Sequence, residues 1–198
     1  IPLCLVGSEM CIRDRYSIAI PKIESADECR TFLKDLGTNI LILPQIETPR
    51  GIATIESWDC SNIEFSGIGF GSADYCASTG GDMGKASLAY GRGKIINAAA
   101  LYNTLALDGV WLDFRDPDGC REETLYVKTM GFKGRFAIHP DQIKPIHDAY
   151  RPTTEELEWA KGVLEEAKTA GSGAFKYQGK MVDAPVLAVA RLIISRED

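Results

Sequence analysis

The sequence predicts an α/β protein built on a parallel sheet. Two observations carry this expectation. Short runs rich in Ile and Leu, too brief for helices, end in Pro or Gly and are followed by stretches that open with helix-start residues. Five such strand–helix units follow one another, with no hairpin signal between them. Strands that alternate with helices pair in parallel. The pattern alone is satisfied by an open sheet and by a piece of a (β/α)8 barrel.

Composition narrows the class. A chain of 198 residues with 45% apolar residues is long enough to bury a core as one domain or a small two-domain protein. A formal net charge of -6 argues against a nucleic-acid partner, which requires a basic face. No apolar run approaches the ~18 residues that a membrane-spanning helix needs, so no membrane partner is expected. The six cysteines (Cys4, Cys11, Cys29, Cys60, Cys76, Cys120) form no C-x-x-C pair, and two histidines give no zinc spacing. Scattered cysteines in a chain of this size read as reduced thiols in a cytoplasmic protein rather than as a disulfide framework.

Residues 1–16 read as foreign to the rest. They hold neither a strand nor a helix period and lack the positive n-region of a signal peptide. The run SEMCIRDRYS resembles a translated sequencing-adapter read-through. Residues 1–16 are therefore expected to be non-native, with the natural coding sequence extending upstream of Ser17.

The elements follow in order from Ser17. Residues 17–23 (SIAIPKI) form a short strand closed by Pro21-Lys22. Ser25 and Glu28 have capping-box spacing for a helix to Leu36, stopped at Gly37. Residues 39–43 are an apolar strand ended by Pro44, and Thr48-Pro49 supplies an N-cap with Pro at the first helical position. Residues 63–70 (IEFSGIGF) form the next strand. The glycine-rich stretch 77–93 reads as a loop over the strand ends, a lid, before a helix over 93–105 with Ile95, Ile96, Ala99 and Tyr102 on one face. Residues 109–114 (GVWLDF) are expected as a strand, 121–130 as a helix stopped by Gly131, and 135–138 as a final strand before His139-Pro140. Thr153 and Glu156 open a helix to Ala170 through a second capping box; 171–179 is linker-like, and a terminal helix runs to Ser195.

Two acids stand at equivalent places. Glu47 follows one strand and Asp74 the next, each just before a helix. The carboxyl ends of parallel strands are where α/β folds place chemistry. Two carboxylates from adjacent strand ends suit Mg²⁺, which takes one or two carboxylates plus substrate oxygens and water. Each acid taken singly is equally well read as an ordinary helix-start acid. Gly67, Gly69 and Gly71 do not make a dinucleotide fingerprint, because Ser72 stands where its spacing fails. They fit either close approach to a small ligand, with the N–H groups of residues 71–74 holding a carboxylate, or simple turn glycine.

The motifs IPKIES (20–25), LPQIETPRG (43–51), FGSADYCAS (70–78), GVWLDFRDPDG (109–119), GRFAIHPDQI (134–143) and GKMVDAPVL (179–187) together resemble the citrate lyase beta-subunit-like branch of the HpcH/HpaI aldolase family, which also holds malyl-CoA and citramalyl-CoA lyases. Their order and spacing match across nearly everything after Ser17. The resemblance implies a partial TIM barrel, strands four to eight, over 17–150, with a C-terminal helical extension over 151–198. Strands one to three and the family's substrate-orienting arginine would lie upstream; Arg13 and Arg15, in the foreign stretch, do not take that role.

The resemblance also implies roles. Glu47 and Asp74 would bind Mg²⁺. Gly71, Ser72 and Ala73 would cradle the carboxylate of a 2-oxo acid. Ile138, His139 and Pro140 would line the path of the coenzyme A pantetheine arm, although His139 also reads as a structural histidine at a strand end. Asp183 would be a catalytic acid delivered from a neighbouring subunit, and it reads equally as a helix N-cap before Pro185. Asp113 and Arg115 fall on the same edge without an assigned role. The implied activity is Mg²⁺-dependent cleavage of a carboxylated 3-hydroxyacyl-CoA, of malyl, citramalyl or citryl type, into a 2-oxo acid and an acyl-CoA such as acetyl-CoA, in a homo-oligomer that is a trimer or a multiple of one. The alternatives are a free-acid aldolase that releases pyruvate and an inactive fragment that only binds ligand.

Overall fold

The computed structural model describes residues 17–36, 40–170 and 173–195. The chain divides into two compact units, the first ending at Ala149 and the second beginning at Tyr150. The expectations for residues 1–16, for Gly37 and for the first residues of the 171–179 turn lie outside the described residues.

The first unit is organised by five parallel strands, β1 (Ser17–Ile20), β2 (Leu41–Ile46), β3 (Ile68–Phe70), β4 (Ala106–Asp108) and β5 (Gly134–Arg135), hydrogen-bonded in chain order. The helices between them are α1 (Ala26–Leu36), α2 (Pro49–Thr54), α3 (Ser72–Thr79), α4 (Lys85–Leu101) and α5 (Pro117–Met130), and α6 (Ile143–Tyr150) follows β5. The α/β class with a parallel sheet is as the sequence predicts. Ile18, Ile42, Ile46, Ile68 and Phe70 from the strands pack with Cys29, Ile52, Leu88, Ile95 and Val127 from the helices in one buried cluster. Each such aliphatic side chain contributes roughly 1.5–3 kcal/mol relative to exposure.

Several boundaries differ from the sequence reading. Pro44 does not end β2. It pairs with Ile20 inside the strand, and the strand continues to Ile46. Ile42 donates to Glu64 O and accepts from Ser66 N on the β3 side, so two residues on, the missing N–H of Pro44 faces that side too. There the ladder breaks: Ile42 bridges Phe65, yet Gln45 pairs with Gly69, one residue further along. This bulge absorbs the proline and shortens β3 to three residues where eight were expected.

The 77–93 stretch is mostly helix rather than a lid. α3 runs to Thr79 and α4 starts at Lys85, with Leu88 and Arg92 buried. Residues 109–114 are not a strand; β4 lies just upstream, with Ala106 opposite Ile68 and Asp108 opposite Arg135. α5 begins earlier than expected, because Asp116 caps it by accepting from Gly119 N at 2.9 Å, with Pro117 at its start.

The second unit contains α7 (Thr154–Ala170), an antiparallel pair β6 (Phe175–Tyr177) and β7 (Lys180–Val182), and α8 (Ala184–Ile194). The capping box at α7 forms in both directions: Glu156 N donates to Thr153 Oγ1 at 3.1 Å, and Thr153 N donates to Glu156 Oε2 at 2.9 Å. The β6–β7 hairpin corrects the reading of 171–179 as a linker and of the chain as free of hairpins. Gln178 and Gly179 both take positive φ, 48° and 79°, which a two-residue type I′ turn requires. Ala160, Val163, Val182 and Ala190 form this unit's own core. Among the described residues no helix is long and apolar enough to cross a membrane.

Candidate functional site

The register of β2 against β3 assembles the site. Ile46 pairs with Phe70, so the next residues, Glu47 and Gly71, leave adjacent strand ends side by side. Thr48 caps α2, its side chain accepting from Gly51 N at 3.0 Å, and this turns the chain away directly after Glu47. The Glu47 side chain then lies across Gly71, where an added Cβ would stand 2.2 Å from Glu47 Oε2. The glycine is therefore required by a protein carboxylate. Its N–H donates to Ile46 O at 3.0 Å, so any hold on a bound carboxylate falls to residues 72–74. These are in the first turn of α3, which has no side-chain cap and whose N–H groups lack intrahelical acceptors.

Glu47, Gly71, Ser72, Ala73 and Asp74 border one cleft of about 270 Å³, which Phe136 and Ile138 also line. The Ser72 hydroxyl is buried without a hydrogen-bond partner, which makes it a free polar contact in the wall. Glu47 is 5% exposed. Burial pushes its carboxyl above the usual carboxylate range and the Asp74 charge adds to this, while Lys22 pulls it back through a backbone hydrogen bond and its charge. A buried carboxylate with a second carboxylate beside it forms a place for a cation. Among the described residues no cluster of three or more His, Cys, Asp or Glu could hold a metal. A two-carboxylate set suits a hard ion that completes its shell with water and substrate oxygen.

Lys22, at the end of β1, contacts both acids. Its N–H donates to Glu47 Oε1 at 2.9 Å, and its Nζ lies 3.2 Å from Asp74 Oδ1. Its φ of 55° is in the left-handed region, which is uncommon outside glycine.

The other expected site residues fall in different places. Ile138 lines the cleft, 55% exposed, and its N–H donates to Gln142 Oε1 at 2.9 Å. His139 stacks on Phe114 at 4.7 Å between ring centroids, and its Nδ1 accepts from Asp141 N at 3.2 Å, capping the short 3-10 turn that begins at Pro140. Neither His139 nor Pro140 is among the cleft's lining residues. Asp183 belongs to the second unit, where it caps α8, with Oδ1 accepting from Val186 N at 3.3 Å. Asp113 accepts from Arg115 N at 3.0 Å, a local turn contact.

Sequence reasoning missed the group behind the cleft. Asp108, wholly buried at the end of β4, accepts from Arg92 Nε and Nη2, both at 3.1 Å, and pairs with Arg135 Nη2 at 3.2 Å. Arg92 Nη2 also reaches Glu123 Oε1 at 2.8 Å, and Arg135 Nε donates to Gly109 O at 2.9 Å. Burial alone would lower the Arg92 pKa, but Asp108 and Glu123 raise it overall. Through Gly109 the network fixes the cleft wall beside Ser72. Its signal in the sequence was slight: an Arg within a helix and an Asp at a strand end.

The fold and the paired acids define a parallel α/β protein whose site lies at the carboxyl ends of its strands. The HpcH/HpaI aldolase/citrate lyase family model matches residues 10–140, and a model of C-C bond lyases of the TIM-barrel fold matches residues 93–197. The chain belongs to the HpcH/HpaI aldolase/citrate lyase family, and its five parallel strands are part of a TIM barrel. It is 29% identical over 201 residues to mouse mitochondrial citramalyl-CoA lyase, covering 90% of this chain and 60% of the relative. It is 34% identical over 187 residues to a citrate lyase subunit beta-like protein of Mycobacterium tuberculosis, covering 91% of this chain and 66% of the relative. The crystal structure of CitE from Mycobacterium tuberculosis, in complex with magnesium, acetoacetate and coenzyme A, superposes with a TM-score of 0.76 at 31% identity over 92% of this chain and 68% of that one. The chain thus spans about 60% of the length of the citramalyl-CoA lyases it matches.

Proposed function

We propose that the protein is a Mg²⁺-dependent carbon–carbon lyase that cleaves a carboxylated 3-hydroxyacyl-CoA into a 2-oxo acid and an acyl-CoA such as acetyl-CoA. The observation that carries the reading is the placement of Glu47, just past the end of β2, and Asp74, in the first turn of the helix that follows β3, on one cleft with Ser72 and Ala73. Similarity to citramalyl-CoA lyase, and to CitE bound to magnesium and coenzyme A, supports it.

Glu47 and Asp74 would hold the metal. Bound there, Mg²⁺ supplies a Lewis acid beside the substrate's hydroxyl and carboxylate oxygens. Ser72 Oγ and the free N–H groups at the start of α3 bind and orient the carboxylate that leaves as the 2-oxo acid. The hydroxyl gives its proton to solvent water, its oxygen becomes the carbonyl of the 2-oxo acid as the carbon–carbon bond breaks, and the electron pair of that bond passes to the α-carbon of the thioester. Asp183, delivered from a neighbouring subunit, gives its carboxyl proton to that carbon as general acid. Ile138, His139 and Pro140 line the side along which the pantetheine arm of coenzyme A runs. A homo-oligomer, a trimer or a multiple of one, follows from the role given to Asp183. The four described free cysteines support a reducing, cytoplasmic location.

The test is release of acetyl-CoA from citramalyl-CoA and malyl-CoA by the purified protein, with Mg²⁺ and with a chelator. Release that needs the metal and falls in Asp183→Asn with unchanged Mg²⁺ affinity is the expected result. Absence of release from every such thioester, or release of pyruvate from free acids alone, contradicts the reading.

A further inference from the structure

We infer that Lys22 is a positioning residue with two opposed actions on the metal pair: its backbone holds Glu47 in place, while its ammonium competes with the divalent cation for Asp74. The inference rests on the reading of Glu47 and Asp74 as that pair.

The left-handed backbone at Lys22 brings one residue to both acids. A φ of 55° turns the chain sharply after Pro21, so the N–H of Lys22 reaches Glu47 Oε1 at 2.9 Å while its Nζ stands 3.2 Å from Asp74 Oδ1. The two contacts differ in kind. The first uses the main chain, serves a carboxylate that is 5% exposed, and survives any side-chain substitution. The second is an exposed ion pair, with side-chain exposures of 65% and 52%, of the sort that forms and breaks at little cost.

The ammonium and a divalent cation seek the same Asp74 carboxylate. An ion that takes Asp74 displaces the lysine, shares Oδ1 with it or binds Oδ2 beside it, and a nearby positive charge opposes its arrival in every case. Glu47, held by the main chain, needs no such exchange. Lys22 therefore offsets part of the repulsion between two neighbouring acids before the metal arrives and sets the level of Mg²⁺ at which the site fills.

The test is a calorimetric titration of the whole protein with MgCl2 alone, on wild type, Lys22→Met, Lys22→Arg and Lys34→Met. Lys34 lies exposed in α1 and serves as the charge control. Removing the competing ammonium is expected to tighten Mg²⁺ binding about 2- to 5-fold in Lys22→Met, the scale of an exposed ion pair. Lys22→Arg should stay near wild type, and Lys34→Met should not differ from it. Circular dichroism checks that each variant is folded. Unchanged or weaker binding in folded Lys22→Met overturns the inference while leaving the metal pair intact. Equal tightening in Lys34→Met assigns the effect to general charge and also overturns it. No Mg²⁺ binding in wild type overturns the metal reading itself and the inference with it.

Discussion

Arg92 and Asp108 form a two-pronged ion pair in which both hydrogen bonds measure 3.1 Å and neither side chain is more than 1% exposed. One comes from the middle of α4 and the other from the end of β4, so the pair ties a helix to the sheet directly behind the cleft. Removing Asp108 takes from the buried Arg135 its carboxylate partner and leaves Arg92 with Glu123 alone. Asp108→Ala is expected to destabilise the protein by about 3–5 kcal/mol, measured by urea denaturation.

The close approach of Glu47 to Gly71 makes the glycine a test of site geometry. Gly71→Ala would put a methyl group 2.2 Å from Glu47 Oε2, so the carboxylate must swing away. Mg²⁺ affinity is expected to fall by about 10–100-fold, the range seen when a ligand's support is disturbed. Calorimetry on the folded variant checks it.

Cys29 predicts a pH dependence. Burial, with the nearby Cys60 and Glu28 charges, pushes its thiol up to about 12 from an ordinary 9.0. The folded state then keeps a proton that the unfolded chain releases above pH 9. The thiol's contribution to stability is complete below pH 9 and is lost as pH rises toward 12. Wild type should therefore lose stability with rising alkalinity at up to about 1.4 kcal/mol per pH unit from this group. Cys29→Ala should show a shallower slope, read by denaturation at pH 8, 9 and 10.

The β6–β7 turn predicts a stabilising change. Gln178 and Gly179 both hold positive φ, and Asn-Gly suits a type I′ turn better than Gln-Gly. Gln178→Asn should stabilise the second unit slightly. Gly179→Ala should destabilise it by about 1 kcal/mol, and hydrogen exchange of Phe175–Tyr177 amides reports both.

Much of the site was legible in the sequence because each carboxylate follows an apolar run within a few residues. Glu47 and Asp74 could be placed side by side before any coordinates, and Thr48, Thr153 and Asp183 announced their helices through local capping chemistry. The rest was hidden where tertiary partners override local pattern. Asp108 falls just outside the strand expected over 109–114, and only Arg92 and Arg135, distant in sequence, make its carboxylate tolerable at the buried end of β4. Pro44 reads as a strand end, and only the bulge opposite it lets the strand continue. Glycines in the 77–93 stretch read as a loop, yet α4 places Leu88 and Arg92 from that stretch in the core. The dual contact of Lys22 depends on a backbone conformation that its residue type does not signal.

The most direct measurement of the central claim is anomalous scattering from crystals of the protein soaked in Mn²⁺, an oxygen-seeking stand-in for Mg²⁺. One peak within coordination distance of both the Glu47 and the Asp74 carboxylates is expected, absent in Glu47→Gln. A peak bound elsewhere, or none at this cleft with both acids ordered, would contradict it.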